Sequence, residues 1–136
     1  FVMMRHPQPM ASCHAILVPR KRVPDIETLL ESGDSWVAFA AFVENQVDFK
    51  ALSLCCNFGA RQEVKQVHFH LLPREALAQK AGEETECHKI GERSVWLSTR
   101  GNVYMDSGDL ACEEYVRKAF ALGKERFPKG FSLIWR

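Results

Sequence analysis

No stretch of the 136 residues is apolar for long enough to span a bilayer, and the first residues carry no basic-then-apolar pattern. An excess of one charge is also lacking. Eighteen Lys and Arg face seventeen Asp and Glu, for a net charge of +1. Bulk electrostatics therefore call for no nucleic-acid partner and no acidic membrane surface. The five cysteines form no CxxC pair and are odd in number, which speaks against a disulfide framework. Reduced, buried thiols in a cytoplasmic protein are expected instead. What is present is ordinary: 46% apolar and 26% charged residues, enough for one domain over residues 1–136 with a real core. The chain opens on Phe1 rather than Met, and a further N-terminal segment ahead of it is expected.

The pattern predicts alternating strands and helices. A strand end is expected at Phe1–Met4, a buried strand over His14–Val18 stopped by Pro19, and a short helix over Val23–Leu30. Ser32 offers a helix cap, and Trp36, Phe39, Ala40, Val43 and Val47 recur at helical spacing. A strand follows at Ala51–Cys56, then a turn at Asn57-Phe58-Gly59. Residues 76–89 read as loop or irregular helix. A hairpin over 94–106, an amphipathic helix over Leu110–Arg126 and a strand over Phe131–Trp135 complete the chain. Ser32-Gly33-Asp34, helix, strand is echoed by Ser107-Gly108-Asp109, helix, strand. A worn duplication would look like this, although caps and strands recur often enough for chance to account for it.

Chemistry concentrates in Gln62-Glu63-Val64-Lys65-Gln66-Val67-His68-Phe69-His70-Leu71-Leu72-Pro73-Arg74, which reads as a strand. Residues two apart share a face, so Gln66, His68 and His70 point one way and Val67, Phe69 and Leu71 the other. The second row can enter a core while the first holds two imidazoles on a rigid element. A neutral imidazole can attack phosphorus to give a P–N bond that water cleaves. Its ordinary pKa of about 6.5 leaves the nitrogen unprotonated near neutrality. His14, at the start of another strand, reaches the same place if the strands are neighbours, whereas His6 and His88 read as surface residues. The same imidazoles also fit a three-His zinc site formed by His14, His68 and His70.

Gln62-x-Val64-x-Gln66-x-His68-x-His70-x-Leu72 resembles the histidine-triad (HIT) signature. Leu72-Pro73-Arg74 is similar to its dinucleoside-polyphosphate hydrolase branch. The stretch Cys13–Val23 resembles that family's His-x-Leu-Val-x-Pro strand, and Asn57-Phe58-Gly59 its Asn-x-Gly turn. The resemblance covers residues 1–74 as a motif-bearing core and leaves 75–136 as a C-terminal extension. It implies an α+β fold: an antiparallel sheet with a main packed helix and an additional C-terminal strand and helix region. It implies nucleotidyl transfer or hydrolysis at the α-phosphate of a small-molecule nucleotide conjugate, without a cofactor or metal, in a homodimer. By position, His68 is the implied nucleophile, His70 contacts phosphate and assists the leaving group, and His14 supports His68. Gln66, Asn57 and Gln62 are the implied substrate-binding residues. The chain departs from the pattern at Gln66, where a third His is usual. It departs also at His6, where an acidic residue usually holds the ribose, and at Glu63, where a small hydroxyl residue is usual. These departures give a second reading, a nucleotide-binding module without turnover.

Overall fold

Apolar residues at alternate positions of the strands, and at helical spacing between them, dictate a sheet with helices over one face. The computed structural model describes residues 1–11 and 13–136. The elements are β1 (Val2–Arg5), β2 (Ala15–Val18), α1 (Ile26–Leu30), α2 (Gly33–Gln46), β3 (Leu52–Gly59), β4 (Phe69–Pro73), β5 (Thr85–Ile90), β6 (Arg93–Ser98), β7 (Asn102–Met105), α3 (Glu113–Arg126) and β8 (Gly130–Trp135). Among the described residues, eight strands join one sheet in the order β1-β2-β4-β3-β8-β7-β6-β5. Every pairing is antiparallel except β7 with β8. The architecture is α+β, as expected. Among the described residues no helix is long and apolar enough to cross a membrane.

The core forms where the apolar stripes meet. Ser32 caps α2 by accepting the Ser35 N–H at 3.3 Å, and Trp36, Phe39, Ala40 and Val43 are buried along one side of the helix. They pack with Tyr115, Val116, Ala119 and Phe120 of α3 against Leu54, Phe69, Leu71, Leu133 and Trp135 of the sheet. The rings of Phe39 and Phe69 stack with centroids 4.1 Å apart, and the Trp36 indole N–H donates to the Leu110 carbonyl at 2.8 Å. This packing draws on both halves of the chain, and β3 against β8 is the seam.

Several elements differ from expectation for identifiable reasons. Asp25, not the Pro24 turn, caps α1 by accepting the Thr28 N–H at 2.8 Å, so Pro24 lies outside the helix. Asn57-Phe58-Gly59 is no turn: all three stay in β3, opposite Ser132, Phe131 and Gly130. The histidine strand pairs only from Phe69 onward. Before that, the Val67 N–H donates to the Val23 carbonyl at 2.7 Å, which draws the segment away from the sheet. Residues 85–90 form β5, an edge strand whose mainly exposed, polar composition concealed it. Ser107–Asp109 is a 3₁₀ turn and α3 starts only at Glu113, yet α2–β3 and α3–β8 do meet along the seam. Cys55 and Cys56 are buried, whereas Cys13 and Cys87 are exposed, contrary to the expectation of uniformly buried thiols.

Candidate functional site

Strand register assembles the site on the face opposite the helices. His70 pairs with Cys55, Cys55 with Ile134, and Ile134 with Tyr104. One rung further, Asn57 pairs with Ser132 and Ser132 with Asn102. Alternation sends Leu54, Cys56, Leu133 and Val103 into the helical core and leaves these two rows to floor a cavity of ≈ 570 Å³. His6, His14 and His68 line it at one side, Arg61 and Lys80 elsewhere on its wall.

Hydrogen-bond partners fix where the imidazole protons sit. The Met10 N–H can only donate, so His14 Nδ1, 3.1 Å away, accepts. Neutral His14 therefore carries its proton on Nε2, which lies 2.9 Å from His70 Nδ1. His70 accepts there and keeps its own proton on Nε2. His68 is the reverse case. Its Nδ1 lies 2.9 Å from the Gln66 backbone carbonyl, which can only accept, so Nδ1 carries the proton and Nε2 a free lone pair. One strand thus presents a nucleophilic nitrogen at His68 and an N–H donor at His70, with ring centroids 5.0 Å apart.

Burial and neighbouring imidazoles favour the neutral forms of His70 and His14. Burial first, then the proximity of His68, His14 and His6, pushes the His70 pKa down to about 4. His14 is also lowered, by burial and then by His6. The unfolded chain takes up protons at both positions near pH 6.5, where the folded protein does not. Stability is therefore expected to fall as the pH drops from 6.5 towards 4. Thermal melts between pH 7.5 and 4.5 check this: a double His14→Gln, His70→Gln variant should show a flatter slope, and an unchanged slope would contradict the assignment.

His14 meets His70 rather than His68, which differs from the support expected for it. His6 is not a surface residue. It extends the β1–β2 register to face His14, donates its N–H to the His14 carbonyl at 2.9 Å, and stacks on the His14 ring at 4.1 Å. That register was the one signal available for it. Asn57 faces the cavity, with Oδ1 accepting from the Ser132 hydroxyl at 2.6 Å and Nδ2 left as a donor. Gln66 and Gln62 turn elsewhere. Gln66 accepts the Val23 N–H at 3.0 Å and donates to the Lys21 carbonyl at 3.2 Å, clasping the loop after β2. Gln62 donates to the Pro24 and Val64 carbonyls at 2.6 and 2.9 Å. Gln66→Ala is accordingly expected to cost about 1–2 kcal/mol of stability while sparing His68, whose partner is the backbone of residue 66. A melting temperature equal to the native value would contradict the clasp.

For a metal, the residues brought together are His6, His14 and His70, with ligand atoms within 4.8 Å of one another, rather than His14, His68 and His70. The fit is poor. Both His14 nitrogens are already engaged, and a cation would have to displace the Met10 and His70 hydrogen bonds. The family model described as HIT domain matches residues 1–77, more than half of the chain. Neither a curated protein nor a solved structure matches it.

Proposed function

The chain belongs to the HIT domain family, and on that footing we propose that it is a nucleotide hydrolase or nucleotidyltransferase working through His68. The observation that carries this reading is the Gln66 carbonyl on His68 Nδ1, which leaves Nε2 as an unprotonated nucleophile in a ring lining the cavity. In the first step Nε2 attacks the α-phosphorus of a nucleotide conjugate. The P–N bond forms, the bond to the leaving group breaks, and that group departs with the electron pair, an amine taking up a proton from solvent as it leaves. In the second step water, or a phosphate or sugar-phosphate acceptor, attacks phosphorus and releases any proton it carries to solvent. The P–N bond then breaks and its electron pair returns to Nε2. His70 Nε2–H and Asn57 Nδ2 donate to the non-bridging oxygens as charge builds there. His14 acts through His70 by holding its tautomer. Residues 1–136 act as one domain in this reading, because the cavity floor draws on β3 and β4 from one half and β7 and β8 from the other.

A second reading, nucleotide binding without turnover, is favoured by the Glu63 carboxylate on the cavity lining, which opposes an approaching phosphate. One panel separates the two: diadenosine polyphosphates, an adenosine phosphoramidate and UDP-glucose, each followed for nucleotide release and for thermal shift. Release supports the enzyme. A thermal shift without release supports the binding module, and neither would overturn both.

A further inference from the structure

The cavity continues well beyond the histidines. From β4 to β7 is three strand spacings, roughly 14 Å. Its far side is built by residues outside the stretch matched by the family model, together with Arg61. The Arg61 guanidinium Nη1 donates to the Gly101 carbonyl at 3.1 Å, to Asn102 Oδ1 at 2.9 Å and to Ser132 Oγ at 3.0 Å, while Nη2 donates to the Arg100 carbonyl. Among the described residues no carboxylate pairs with this cation.

A buried carboxylate holds the same wall from behind. Glu83 is only 5% exposed and accepts from the Ser98 hydroxyl, the Tyr104 hydroxyl at 2.9 Å, Asn102 Nδ2 at 3.2 Å and the Lys80 N–H at 2.9 Å. Burial raises its pKa, but these four donors more than offset that and keep the carboxyl ionised. Asn102 and Tyr104 are thereby locked in place before any ligand arrives. A prebuilt polar wall with an unpaired guanidinium, facing a nucleophile across one cavity, suits a substrate with charge at both ends.

We propose that Arg61, held in place by Asn102 and Ser132, forms a second subsite whose remaining guanidinium N–H groups take an oxyanion carried by the leaving portion of the substrate, a further phosphate or a carboxylate. The proposal rests on His68 being the reacting end. Among the described residues Glu63 is the one acidic residue on the lining itself, with Glu83 behind it, and Lys80 adds a second cation.

Calorimetry with inorganic tripolyphosphate and with citrate tests the subsite without turnover. Native protein should bind at least one of the two, and preference between them distinguishes phosphate from carboxylate. Arg61→Gln should weaken binding about tenfold or more, Arg61→Lys less, and His68→Ala little. Equal affinity in native protein and Arg61→Gln, or no binding by native protein, would overturn the proposal. Should Arg61→Gln melt too low to use, phenylglyoxal labelling of native protein decides. Slower labelling of Arg61 in the presence of the anion supports the subsite, and an unchanged rate overturns it. In turnover, the ratio of kcat/KM for an adenosine phosphoramidate with a phosphate-bearing leaving amine to that for one with a neutral amine should fall about tenfold in Arg61→Gln. Absence of turnover with anion binding intact would count against His68 alone.

Discussion

His68→Ala is expected to lower turnover by about 10⁴-fold or more and to leave the fold intact. The size follows from the role: the ring supplies the atom that bonds to phosphorus, and alanine at that position offers nothing in its place. The fold should survive because the ring sits in the cavity and outside the helical core, and its one protein partner is the carbonyl two residues earlier. The cost in stability should stay within about 1 kcal/mol. Steady-state rates and a thermal melt on the same preparation check both halves of the prediction. A variant retaining a tenth of native activity would remove the nucleophile from His68.

Gly130→Ala should produce the largest loss of stability, about 3 kcal/mol, or roughly 10 °C in Tm. Gly130 opens β8 at φ +152°, a backbone conformation that side chains rarely adopt. An added Cβ would lie 2.7 Å from the Phe58 carbonyl oxygen and 2.7 Å from the Ala60 nitrogen, both backbone atoms of the facing chain. Relief requires moving β8 away from β3. That seam carries the Asn57–Ser132 pair, so the cavity floor should loosen along with the core. Gly91, at φ +64° with nothing within 4 Å, is the control, and Gly91→Ala should cost only about 1 kcal/mol. Equal losses at the two positions would mean that the seam does not govern stability.

What the sequence made legible was local. The period-two row of His68 and His70 against Phe69 and Leu71, the Ser32 cap and the helical stripe from Trp36 to Val43 all depend on near neighbours, and all appear in the structure. What stayed hidden depends on distant partners. Gln66 shares the histidine row by spacing, but a loop more than forty residues earlier turns its side chain aside. His6 enters the cluster only through the β1–β2 register. The Arg61 wall joins three separate segments, none of which carries a motif. The edge strand β5 shows no apolar alternation because it has little to bury.

The most direct test of the account is intact-protein mass spectrometry on native protein and on His68→Ala, quenched in alkali within seconds of mixing with an adenosine phosphoramidate or a diadenosine polyphosphate. The account predicts a nucleotidyl adduct on native protein that maps to His68, decays as the nucleotide is released, and is absent from the variant. Release of nucleotide at native rates from His68→Ala, or an adduct mapped to His14 or His70 instead, would contradict it.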